Sequence, residues 1–237
     1  CASNERTLPK RAFTILRDEV AKKQAARGTP GGEALQRVLT TTLKLPARTG
    51  VPDYRILRPL TGRAYPKRYA ATYAVETEPE VHAIVYRLSD APLTSRPPRG
   101  EKRAVLYVSH LSADAELRSE SLVKDVIAAE PSAAFFACDV RGVGESQPLV
   151  STRGFATNYG GNYFHAACGL MFDYPVAGQR TFDVLRVIDW LRDQGHDDVH
   201  VVARGWGAIP TTFAPVLHPT VRQVTLQQAL TRYAAAA

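Results

Sequence analysis

The chain has 237 residues, 45% hydrophobic and 22% charged, which is ordinary for a globular protein with room for one large domain or a small domain plus an appendage. No run approaches the roughly 18 apolar residues of a membrane-spanning helix, and the paired cysteines of a zinc site are absent. The net charge of +7 sits in the N-terminal part: residues 1–100 hold 18 Lys+Arg against 9 Asp+Glu, residues 101–237 only 12 against 14.

Residues 10–27 place Phe13, Leu16 and Val20 at helical spacing and predict an amphipathic helix that Thr29-Pro30-Gly31-Gly32 stops. A second helix is expected over roughly 33–44, with Leu35, Val38, Leu39 and Leu43 on one side. From residue 53 the texture becomes strand-like. The β-prone runs 69–75 and 81–86, separated by the acidic stretch Glu76–Glu80, read as an antiparallel pair. Residues 89–102 form a Pro- and Arg-rich connection. Thereafter short apolar runs (104–108, 133–138, 199–203 and 221–226) alternate with helical patterns over 117–129, 178–194 and beyond Gly207. Such alternation predicts an α/β fold: a mainly parallel sheet with helices on both faces, preceded by a helical and β-hairpin extension.

In such sheets ligands bind beyond the carboxyl ends of the strands, so three strand-end loops carry the chemistry. Ala203-Arg204-Gly205-Trp206-Gly207 joins a buried strand to a helix, as a nucleophile elbow of pattern G-x-S-x-G does. Ala203 replaces its first glycine and Gly205 occupies the serine position. Glycine tolerates that turn's backbone, so the geometry can persist without a nucleophile; a plain Gly-rich turn is the other reading. If it is an elbow, the N–H groups of Gly205 and Trp206 should point into a cavity shared with residues 109–112. Asp139-Val140-Arg141-Gly142-Val143-Gly144-Glu145-Ser146 reads as a bracing loop in which Asp139 and Arg141 pair; Ser146 lacks the setting of a nucleophile. Ser109-His110-Leu111-Ser112 lies where an oxyanion hole would draw a backbone N–H, making Trp206, His110 and Leu111 the oxyanion-hole candidates. His110 is either a general base or a locally bonded loop histidine. No metal or other cofactor is expected.

The basic side chains are scattered singly among Pro, Gly and apolar residues, so no nucleic-acid partner is expected. Cys138 and Cys168 sit in apolar settings and read as buried thiols, although one disulfide stays open. Cys1-Ala2-Ser3-Asn4 is similar to a bacterial lipoprotein after signal-peptide removal, which implies a secreted, periplasmic or lipid-anchored location. A numbering that merely starts at Cys1 and a cytoplasmic location are the alternatives.

Together the runs Val105–Leu111 and Asp139–Ser146, then Gly178-Gln179-Arg180, Asp183-Val184-Leu185-Arg186, Asp189-Trp190-Leu191 and Ala203–Gly207, resemble the α/β-hydrolase superfamily. Within it they are most similar to bacterial acetyl xylan esterase-like proteins. The resemblance implies an N-terminal helical extension (1–52) before a hydrolase-like domain (53–237) that looks truncated at its C-terminus. It also implies ester cleavage by a serine, a histidine and an acid, the last two following the serine in the chain. After Gly205 the chain offers His218 and no acidic residue. The expectation is therefore a non-catalytic esterase-like domain that can hold a small ester or carbohydrate. A fragment or variant of an active carboxylic ester hydrolase and a structural subunit of an assembly are the alternatives.

Overall fold

A computed structural model describes residues 12–28, 30–93, 96–97, 99–147 and 161–230. Cys1 lies outside them. Two helices, α1 (Ala12–Arg27) and α2 (Gly32–Thr42), precede the strands β1 (Tyr54–Thr61), β2 (Tyr69–Glu78), β3 (Val81–Ser89) and β4 (Arg103–Val108). The helices α3 (Ala113–Ser119) and α4 (Ser121–Ala129) follow, then β5 (Ala134–Asp139), α5 (Gly161–Met171), α6 (Val176–Asp193), β6 (Asp198–Arg204), α7 (Ala208–Leu217) and β7 (Val221–Gln227).

The strands form one seven-stranded sheet in the order β1-β2-β3-β5-β4-β6-β7. The four apolar runs are its parallel half, β5-β4-β6-β7. The expectation of a mainly parallel sheet needs correction: β1, β2, β3 and β5 pair antiparallel, so the sheet is mixed. The hairpin is accordingly no appendage. Its second strand hydrogen-bonds along β5, from Ile84 opposite Asp139 to Leu88 opposite Phe135, and its residues enter both faces of the core.

Helices cover both faces, because the sheet's alternate residues are apolar on both sides. One core joins Tyr73, Val85, Leu106 and Val201 to α6 through Val184, Ile188 and Trp190. The other joins Tyr107, Phe135 and Val202 to α3 and α4 through Leu117 and Val123. The single helix expected over 117–129 is broken at Glu120, whose extended backbone (ψ 125°) separates α3 from α4. Every residue from Thr181 to Leu191 on α6 is buried. Its polar members survive there because they are paired: Asp183 with Thr77 and Arg141, Asp189 with His218. Close approach also demands Gly178, since a Cβ there would lie 1.8 Å from the Leu43 carbonyl oxygen.

Among the described residues no helix is long and apolar enough to cross a membrane. Cys138 is a buried free thiol, as read from the sequence, whereas Cys168, also free, is only half-buried.

Candidate functional site

The strands β4, β5 and β6 end level with one another, Val108 lying opposite both Cys138 and Ala203. The three loops singled out in the sequence therefore meet at one edge of the sheet.

Gly205 opens a single 3₁₀ turn, Gly205–Gly207, between β6 and α7, with φ +54°. That left-handed conformation costs a side-chain-bearing residue about 1–2 kcal/mol and is where an elbow holds its nucleophile. Gly207 answers a second demand. A Cβ there would lie 2.4 Å from the Val108 carbonyl oxygen and 2.6 Å from that of Ser109, so the turn rests directly on the end of β4.

The space beside Gly205 is filled. The Trp206 N–H donates to His110 Nδ1 at 3.0 Å, and a Cβ on Gly205 would meet that nitrogen at 2.7 Å. His110 thus occupies the volume a nucleophilic side chain would need. Its own N–H donates to Glu116 Oε2 (2.9 Å), and the Leu111 and Ser112 N–H groups donate to Oε1 (2.7 and 3.0 Å). The Tyr107 hydroxyl completes the set at Oε2, 2.6 Å away. Of the oxyanion-hole candidates, then, Trp206 gives its N–H to an imidazole, and His110 and Leu111 give theirs to a carboxylate of this same chain. Of the two N–H groups expected to converge in a cavity, that of Trp206 is thus already engaged.

Asp139 and Arg141 both brace the site, but not by pairing with each other. Asp139 accepts from Ser109 Oγ and the Ala113 N–H (both 2.7 Å) at Oδ1, and from the Glu145 N–H at Oδ2 (3.0 Å), so it ties loop 109–113 to loop 139–146. Gly144, at φ +51°, lets the second loop close over this carboxylate. Burial above all raises the Asp139 pKa to about 6, the three hydrogen bonds opposing it. Arg141 forks onto Asp183, Nε to Oδ2 at 2.8 Å and Nη2 to Oδ1 at 2.6 Å, and reaches Glu78 at 2.5 Å. Burial works against its charge but is outweighed by these carboxylates, so the guanidinium is held firmly protonated. Ser146 is committed too, its hydroxyl donating to the His82 carbonyl at 2.5 Å.

His218 lies elsewhere. Its Nε2 donates to Asp189 at 2.9 Å while Nδ1 accepts from the Thr220 N–H, and both partners of the ring are buried at the far end of α7. The 10 residues of α7 set it about 15 Å from Gly205. This histidine–carboxylate pair belongs to the opposite edge of the sheet.

Two cavities adjoin above the strand ends. One, of about 490 Å³, is lined by His110, Leu111, Gln147, Tyr163, Arg180 and Trp206 among others. The second, of about 570 Å³, shares Gln147 and Arg180 and runs toward His82, Arg141, Cys168 and Tyr174. Sequence reasoning missed Glu116, Arg180 and Tyr163 as site residues. Glu116 carries no local signature, since its role depends on donors up to nine residues away, and Tyr163 stands on a helix without a regular apolar stripe. Among the described residues no group of three or more His, Cys, Asp or Glu side chains could hold a metal.

No protein-family model matches the chain, and no curated protein does. Solved structures do. A protein of Bacteroides fragilis NCTC 9343 described as an acetyl xylan esterase superposes with a TM-score of 0.59 at 14% identity, over 81% of this chain and 51% of that one. An acetyl xylan esterase from Paenibacillus sp. R4 gives 0.49 at 12% identity, over 85% and 62%. The chain thus spans about half of the first structure's length and 62% of the second's. At 14% identity the likeness to the Bacteroides structure concerns the fold alone.

Proposed function

We propose that this chain is a non-catalytic α/β-hydrolase domain, related to carbohydrate esterases, that keeps the pocket above its strand ends as a ligand site. The observation that carries the reading is local to position 205. Gly205 offers no nucleophile, and His110 fills the space one would occupy. Neither a histidine nor an acid supplied from elsewhere can activate at position 205 a side chain that glycine lacks. The backbone donors that would stabilise a tetrahedral intermediate are also engaged internally.

A saccharide suits what remains. Trp206 and Tyr163 are 55% and 56% exposed at the cavity's rim, offering flat amphipathic faces, and Gln147 and His110 supply polar contacts. The test has two arms. The chain is expected to hydrolyse p-nitrophenyl acetate no faster than a heat-denatured control. Titration with acetylated xylobiose followed by NMR is expected to shift the Trp206 indole resonance saturably. Saturable turnover would overturn the non-catalytic reading, and an unmoved indole with every saccharide tried would overturn the ligand site.

A further inference from the structure

We propose that the outer edge of β1 docks an acidic, extended peptide segment of a partner protein, which joins the sheet antiparallel to β1 and sets carboxylates at alternate positions against Arg55 and Arg58. This inference stands apart from the pocket and does not depend on its reading.

Charge is the first support. From Tyr54 to Val75 the chain holds Arg55, Arg58, Arg63, Lys67 and Arg68 and no acidic residue. Separated in sequence by apolar and turn residues, these cations are gathered by the β1–β2 hairpin at one edge of the sheet. Lys67 pairs with Asp90, and Arg68 lies over the Tyr69 ring. Arg58 pairs with Glu145 at 2.9 Å, but both side chains are well exposed, so a competing carboxylate can take the place of Glu145 at little cost. Arg55 and Arg63 are exposed and have no partner among the described residues.

Register is the second support. Ile56 stands opposite Tyr73, and it is Arg58, not Leu57, that stands opposite Thr72, so Leu57 is the extra residue of a β-bulge. The bulge turns Arg58 onto the face that Arg55 uses opposite Ala74; in an unbroken strand the two would point to opposite faces. Arg55 and Arg58 are therefore about 7 Å apart on one face, the repeat of alternate residues on a neighbouring strand. Ile56, between them, faces the other side and is exposed. A matching strand reads acid, apolar, acid. Asp53 shares the face of Arg55 and disfavours a further acid beyond it.

The backbone is the third support. β1 is terminal in the strand order, so no described strand pairs with its outer side. The Asp53 carbonyl points inward and accepts the Glu76 N–H at 2.9 Å, so by alternation Tyr54 and Ile56 turn their N–H and C=O groups outward. Asp53 Oδ1 already takes the Tyr54 N–H at 2.8 Å. The Ile56 N–H and C=O can exchange two hydrogen bonds with one residue of an antiparallel partner. The bulge and Pro59, which has no N–H, end the open stretch. So short a strip suits a brief motif rather than a second copy of this chain, whose own arginines would meet Arg55 and Arg58 as like charges.

The test is fluorescence anisotropy of the full chain at low salt with three labelled peptides: Thr-Glu-Val-Glu-Thr, its isomer Thr-Glu-Glu-Val-Thr, and the first peptide N-methylated at valine. The alternating peptide is expected to bind at least about fivefold more tightly than its isomer, and N-methylation, which removes the donor to the Ile56 carbonyl, is expected to abolish that advantage. Arg55→Ala is expected to bring the two isomers within about twofold of each other. Should Arg55→Ala fail to fold, the three peptides on the unaltered chain decide by themselves. Equal binding of the isomers, an undiminished preference in Arg55→Ala, or an N-methylated peptide that binds as well as its parent overturns the inference, as does no binding by any of the three. Tighter binding of single-stranded DNA or of anionic lipid vesicles than of the alternating peptide overturns the peptide as the occupant.

Discussion

Replacing Glu116 by glutamine exchanges one carboxylate oxygen for an amide nitrogen and tests what holds the 109–112 loop. Each carboxylate oxygen accepts two hydrogen bonds: Oε1 from the Leu111 and Ser112 N–H groups, Oε2 from the His110 N–H and the Tyr107 hydroxyl. With the amide nitrogen in place of Oε1, two backbone donors lose their acceptor; in place of Oε2, the His110 N–H loses its acceptor while the Tyr107 hydroxyl can turn and accept from the amide. The site is only 8% exposed, so water cannot readily substitute. An unmet buried donor costs about 1–3 kcal/mol, and the orientation that leaves only one puts Glu116→Gln at roughly 1–3 kcal/mol of lost stability, or about 2–12 °C in melting temperature for a chain of this size. Urea unfolding should show the loss in the midpoint with the slope unchanged. A double-mutant cycle sharpens the test. Tyr107→Phe removes a hydrogen bond to a carboxylate in the parent and only a neutral one in the Glu116→Gln background, so it should cost about 1 kcal/mol less there than alone. A Glu116→Gln protein within about 0.5 kcal/mol of the parent, or strict additivity with Tyr107→Phe, would refute the view that this carboxylate anchors the loop.

Other expected outcomes concern the same edge of the sheet and its support. Gly205→Ser should remain inactive toward p-nitrophenyl acetate and lose stability, by about 1–2 kcal/mol for its left-handed backbone plus about 1 kcal/mol for the displaced bond from Trp206 to His110; a more stable or active variant would contradict the geometry. Asp139 has a folded-state pKa of about 6, raised mainly by burial. Its contribution to stability is therefore greatest below its ordinary value near 3.8 and is lost as the pH rises through about 6, a change on the order of 2–3 kcal/mol. Glu130 and Asp189 are held low despite burial, by bonds from Arg103 and His200 and from His218, so their opposite slope falls at more acid pH. Subtracting the stability of Asp139→Asn from that of the parent should give a difference that grows from pH 7 to pH 4; a flat difference would count against the burial of that charge. Gly178→Ala should cost about 1–3 kcal/mol by overpacking, since its methyl would press on the Leu43 carbonyl oxygen, and chemical denaturation would read it directly.

The parallel half of the sheet was legible because β4, β5, β6 and β7 are short apolar runs between helical patterns, and four of the helices announced themselves by spacing or by glycine stops. β1 was not read as a strand: Arg55-Ile56-Leu57-Arg58-Pro59 lies at the sheet's edge and is exposed throughout, so neither alternation nor a buried run marks it. α5 escaped for a related reason, since Leu170 and Met171 face outward and no apolar stripe emerges. Strand direction is invisible in a strand's own residues, which is why the hairpin's entry into the sheet against β5 was missed. At the site, the positions of Gly205, Trp206 and His110 could be read from strand-end loops alone. Their partners could not. Asp139 and Arg141 stand two residues apart and invite pairing, yet Arg141 finds Asp183 42 residues away on a helix that burial forces against the loop.

The crowding of Gly205 by His110 also bears on the routes by which sequences of this kind can change. A serine at position 205 fits only if position 110 is first made smaller or its ring is swung aside, and either step strips the Trp206 N–H of its acceptor before any hydroxyl can be put to use. Each single substitution on that route is thus a loss, and any benefit waits for the combination. The contact between an imidazole and a bare Cα thus couples positions 110 and 205, so that neither can be enlarged or reduced without disturbing the other.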